Sequence, residues 1–116
     1  MIDNRAEIYQ LLHSITEEVS YRYPEDLLDN KYPKVCYYVS NHTDKDYQDN
    51  KASSVLIEYT IQVYEKNVNG ELIEIHGEID DAVKGAGYMR IYFDNYFDTE
   101  DKVNIYTLKY AKKLSY

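Results

Sequence analysis

Residues 52–65 place apolar side chains on alternate positions for fourteen residues. Val55, Ile57, Tyr59, Ile61 and Val63 alternate with Leu56, Glu58, Thr60, Gln62 and Tyr64. Side chains of a strand point to opposite faces in turn, so this period of two predicts a long β-strand. β-Branched and aromatic residues, which favour strands, dominate it. A strand of this length exceeds the usual five or six residues and is expected to project beyond the sheet that holds its base. Any fold for this chain has to be built around it.

Two further strands follow from the same period. Residues 88–97 alternate aromatic and polar side chains, and residues 103–114 carry Ile105, Tyr106, Leu108 and Tyr110. Asp98, Thr99, Glu100 and Asp101 between them predict an acidic hairpin turn. Residues 34–40, after Pro33, make a strand with Val35, Tyr37 and Val39 on one face. Residues 41–51 are polar, with Asp44, Asp46 and Asp49 and no apolar anchor except Tyr47. They read as an exposed, mobile loop.

Two helices complete the plan. Ile8, Leu11, Leu12, Ile15 and Val19 recur at helical spacing, with Asp3 or Asn4 as the cap and Asn4–Glu7 at capping-box distance. Pro24 ends that pattern by Tyr23. Residues 24–33, between two prolines, form a connection, and residues 67–70 a turn. Leu72, Ile75, Ile79, Ala82, Val83 and Ala86 form the second stripe, with Gly77 as a weak point and Gly85 and Gly87 at its end. The expectation is one α+β domain over residues 1–116. It has a mainly antiparallel four-stranded sheet, two helices packed on it, and the order α-β-β-α-β-β.

Chemistry is nearly absent from the pattern. The chain has no Gly-rich phosphate loop, nucleophile elbow or His-Glu-x-x-His. Cys36 is the single cysteine and lies in an apolar run, where it behaves as a small hydrophobe. His13, His42 and His76 fall on three separate elements. Asp44-Lys45-Asp46 lacks the Gly and distal Glu of a calcium loop. Neither a cofactor, a metal site nor an enzymatic centre is expected. No apolar run is long enough for a membrane span, and no N-terminal signal segment is visible. A net charge of −8 argues against phosphate-backbone binding. The basic side chains Lys109, Lys112 and Lys113 are read as solvating one face of the last strand.

The positive signal is tyrosine: 15 of them, against 2 Phe and no Trp. So many phenols cannot all enter a core this small, and each buried one needs a hydrogen-bond partner. Two readings stand side by side. Some tyrosines serve contacts with other chains, where Tyr is enriched. Alternatively, Tyr replaces Phe on strand faces throughout a biased proteome. The spacing of Tyr88, Tyr92 and Tyr96 puts all three on one strand face and suggests a patch.

The segments, in order, are Ile2-Asp3-Asn4, Tyr32-Pro33-Lys34-Val35-Cys36-Tyr37-Tyr38-Val39, Ser54-Val55-Leu56-Ile57-Glu58-Tyr59-Thr60-Ile61-Gln62-Val63-Tyr64, Ile79-Asp80-Asp81-Ala82-Val83, Gly87-Tyr88-Met89-Arg90 and the closing strand from Asp101 to Tyr110. This order resembles the tail-completion, or tail-terminator, proteins of long-tailed bacteriophages and their prophage remnants. The resemblance implies a small α+β subunit that forms a homo-oligomeric ring, expected to be a hexamer, at the head-proximal end of the tail tube. Such a ring stops tube polymerisation and joins the head–tail connector. The implied partners are further copies, the tail-tube protein and the connector. The implied location is the host bacterial cytoplasm during assembly and then the virion tail or neck. Membrane and sequence-specific nucleic acid are not expected partners. Interaction residues would come from the 41–51 segment (Asp44, Asp46, Tyr47, Asp49), from Tyr64, Tyr88, Tyr92 and Tyr96, and from two complementary patches. Those patches are the acidic turn with Asp98, Glu100 and Asp101, and the strip of Lys109, Lys112 and Lys113. Another connector or minor capsid protein, or a small ligand-binding α+β domain, are the rival readings.

Overall fold

The computed structural model describes residues 4–24 and 26–116; the alternative helix cap Asp3 lies outside them. The elements in chain order are α1 (Arg5–His13), β1 (Val19–Tyr21), β2 (Lys34–Gln48), β3 (Lys51–Lys66), α2 (His76–Gly85), β4 (Met89–Asp98) and β5 (Val103–Ser115). One five-stranded sheet runs β1-β2-β3-β5-β4. β1 lies parallel to β2, and the other neighbours are antiparallel. The expected four-stranded antiparallel sheet and the order α-β-β-α-β-β are therefore corrected to a mixed five-stranded sheet and α-β-β-β-α-β-β.

The extra strand arises where the first helix stops early. Past His13, side chains compete for the backbone. The Ser14 hydroxyl donates to the Leu11 carbonyl at 2.6 Å, and the Thr16 hydroxyl to the Pro33 carbonyl at 3.2 Å. Val19, read as the last position of a helical stripe, instead pairs with Val35, and Tyr21 with Tyr37. Three residues are too few for a period of two to show.

The second correction concerns residues 41–51. They are not a loop but the outer ends of β2 and β3, which pair up to Gln48↔Lys51. Asp49 and Asn50 form the connection, with φ of 50° and 64°. Two positive φ values suit a type I′ hairpin turn, and Asp and Asn tolerate them better than other side-chain residues. The polar run misled because this end of the hairpin has no helix over it, so no alternation is needed. A bulge between Val39 and Asn41 also shifts the register there.

The third difference is the start of α2. Leu72 and Ile73 are exposed and precede the helix, which begins at His76. Val68 and Glu71 instead close a tight turn through Asn69 and Gly70, both at positive φ. Gly77 thus sits in the first turn rather than mid-helix. Gly87, at φ +95°, follows the helix where a left-handed residue ends it.

Both helices lie on one face of the sheet. Ile8 and Leu12 of α1 and Ile79 and Val83 of α2 join Ile57, Tyr59, Ile61 and Val63 of β3 and Leu108 and Tyr110 of β5 in one buried cluster. The opposite face carries no helix among the described residues. The molecule is long, 59 × 24 × 23 Å. That matches β3, whose sixteen residues reach about 53 Å at about 3.3 Å per residue.

Candidate interaction surface

β4 closes one edge of the sheet and is exposed at every position except Asp98. Its sequence is nonetheless apolar. Met89, Ile91, Tyr92, Phe93, Tyr96 and Phe97 are 66%, 48%, 47%, 50%, 62% and 52% exposed. The helices reach β3 and β5 but leave β4 largely bare. Soluble proteins usually protect a long edge strand with charge, proline or a covering segment. Here the charged residue that begins the strand is turned back: the Arg90 guanidinium lies 3.4 Å from Asp80 of α2 and 5.3 Å from the Phe93 ring.

A bulge decides which tyrosines belong to this surface. Arg90 faces Tyr110, but Tyr92 faces Lys109, so Ile91 is an extra residue and the alternation flips there. Tyr88 therefore goes with the helix face, 3% exposed, and the Asn4 amide donates to its hydroxyl. Tyr92 and Tyr96 stand on the open face. The expectation of one face for Tyr88, Tyr92 and Tyr96 is corrected for this reason. Tyr59 also donates to Asn4, at 2.5 Å. Asn4 thus joins two buried phenols to the start of α1 and makes no side-chain cap of the helix.

The other expected contact residues are scattered. At the hairpin end Asp46 meets Lys113 and accepts from the Ser54 hydroxyl at 2.6 Å, and the Tyr116 hydroxyl donates to Asp44. Bonds from Lys113 and Ser54 hold the Asp46 carboxyl below its ordinary range. Tyr47 is exposed nearby, and Asp49 lies in the turn. Tyr64 is half-buried on the open face, donating to Gln62 at 3.2 Å, and burial pushes its phenol up. Asp98 accepts the backbone N–H groups of Glu100 and Asp101, which pins the acidic turn. The three lysines do not form one strip. Lys109 sits over the Tyr92 ring at 5.1 Å, Lys112 donates to the Ala86 carbonyl at 2.7 Å on the helix face, and Lys113 joins Asp46. The acidic turn and Lys113 lie at opposite ends of β5.

One polar group escaped the sequence reading. Glu65 is 1% exposed and takes the backbone N–H groups of Ile75 and His76 at 2.7 and 3.0 Å. It also meets His76 Nδ1 at 3.0 Å, and the His76 ring stacks on Tyr106 with centroids 3.9 Å apart. A buried carboxylate thus satisfies the amino end of α2 in place of a local cap. The signal was available: Glu65 continues the inward series Ile57, Tyr59, Ile61, Val63.

For chemistry the surface offers little. The Cys36 thiol is buried and pushed up to about 11 by that burial. Among the described residues no three His, Cys, Asp or Glu side chains gather as a metal ion would need. An open groove of about 560 Å³ runs past Ile15, Glu17, Tyr32 and Ile73. No described helix is long and apolar enough to cross a membrane. In comparisons with known proteins, no family model and no curated sequence matches the chain.

Proposed function

We propose that this chain is a structural assembly subunit, without catalytic chemistry, that works by contact with copies of itself and with other proteins. The observation that carries the reading is β4: ten residues of edge strand, bare, with exposed apolar side chains on both faces. Such a strand is a hazard to a solitary protein and an asset to one that assembles. The sequence resemblance specifies the assembly as a ring, a hexamer, on the head-proximal end of a phage tail tube. There it ends tube growth and receives the head–tail connector. Its path runs from host cytoplasm to virion neck. The α+β class and the acidic charge suit a subunit that binds protein rather than nucleic acid.

The test is to add the purified chain to polymerising tail-tube protein of its own phage. Tubes of limited length with a ring of the chain at one end are expected by electron microscopy. Unlimited tube growth with no bound chain contradicts the tail reading. Binding to portal or head proteins alone replaces it with a connector role.

A further inference from the structure

We propose that β4 is occupied by β4 of a second copy, antiparallel about a two-fold axis at Phe93, joining two sheets into one of ten strands. This goes beyond the ring reading, because a two-fold contact is isologous whereas a ring needs heterologous contacts.

The opposite sheet edge is a poor alternative partner. β1 has only three residues, and its end is turned aside by a Tyr23–Tyr21 backbone bond. Arg5 and Arg22 lie at 5.5 and 5.3 Å from the Tyr21 ring on that edge. Short length and charge are the usual means of blunting an edge. β4 is ten residues long, its Arg90 is held by Asp80 and Asp94 is its one mid-strand charge, and its outer backbone has no neighbouring strand in the sheet.

Self-complementarity selects the register. Within the chain, the open face of β4 carries Tyr92 beside Lys109 and Asp94 beside Thr107, while Phe93 lies beside Leu108 on the other face. Opposed residues of an antiparallel pair share a face. Centring on Phe93 sets Phe93 against its own copy, flanked by both Leu108 side chains. On the open face it sets each Tyr92 against the second copy's Asp94. Two symmetric rows result, each running Lys109, Tyr92, then the opposing Asp94, so that a lysine already over the Tyr92 ring faces a carboxylate across the seam. Met89 meets Tyr96 further out. Centring one residue later would place Asp94 against Asp94, and like charges directly opposed are unfavourable.

Sedimentation equilibrium of the full chain over a wide concentration range tests the pairing. A dimer is expected, and Phe93→Arg, checked for folding by circular dichroism, should leave a monomer. Charge reversal gives a second, milder probe. Lys109→Glu and Asp94→Lys should each weaken the dimer about tenfold, and the double reversal should return it to within about threefold of the native constant. A chain that stays monomeric at all concentrations overturns the proposal. So does a dimer indifferent to Phe93→Arg, or one in which the double reversal only adds the two losses. A monomer that binds through β4 only when tail-tube or connector protein is present assigns the edge to that partner and also overturns it. Failure to cap tubes, by contrast, leaves the dimer result untouched, so the two readings fail separately.

Discussion

β3 and β4 have similar sequences and opposite fates. Each is rich in aromatic and aliphatic residues interspersed with polar ones over ten residues or more. β3 lies between β2 and β5, and its inward residues Ile57, Tyr59, Ile61 and Val63 are essentially fully buried in one cluster with α1 and α2. β4 has one strand neighbour and few contacts with a helix, so its apolar residues remain in water. Position in the sheet, not local composition, sets how much each strand contributes to folding. What β4 does not contribute to the monomer is left available to another chain.

The largest effect should come from the centre. Ile61→Ala removes a fully buried side chain and should cost about 3 kcal/mol, read as a shift in the urea midpoint. A loss below about 1 kcal/mol would mean that β3 is not the centre of the core. Next comes the end of the same strand. Glu65→Ala leaves the first N–H groups of α2 without their buried acceptor and should cost about 2 kcal/mol. Hydrogen exchange at Ile75 and His76 should quicken with it.

Asp80 links α2 to β4 and β5 and gives a pH test. Burial opposes its ionisation, but bonds from Lys84 and Tyr110, with Arg90 nearby, outweigh it and hold the carboxyl below its ordinary range. A depressed carboxylate stabilises the fold above its unfolded pKa, and the benefit is lost as pH falls through the folded value. Asp80→Asn should therefore cost about 1 kcal/mol at neutral pH, and its melting temperature should converge on the native value as pH drops below the ordinary carboxylate range. A constant gap across that range would remove the charge from the explanation. The smallest effect on stability belongs to β4. Phe93→Ser should change monomer stability by less than about 1 kcal/mol, since half of the ring is already exposed. A larger loss would make β4 part of the core and undo the contrast with β3.

Much of the architecture was legible in residues. The alternation at Val55–Val63 located the central strand, and the acidic run at Asp98–Asp101 located the β4–β5 turn. What escaped depended on partners distant in sequence. Val19 fits a helix stripe as well as it fits a strand beside Val35, and only the position of β2 decides between them. Asp49-Asn50 is a turn signal, but it was hidden in a polar run that the helices do not cover. For the contact surface, the tyrosine excess pointed to exposed phenols, and Tyr92 and Tyr96 are exposed, yet the Ile91 bulge that separates Tyr88 from them has no mark in the sequence. The lysines, all within residues 109–113, divide between two faces because a strand alternates: Lys112 goes to the helices, while Lys109 and Lys113 go to the open side.

Amide hydrogen exchange across Met89–Asp98 tests the central claim most directly. The account predicts rapid exchange at the outward amides in the dilute chain and protection rivalling that of β5 once the chain assembles, with Phe93→Arg abolishing the gain. Equal exchange in the dilute and assembled states would contradict it, because contact would then be made elsewhere.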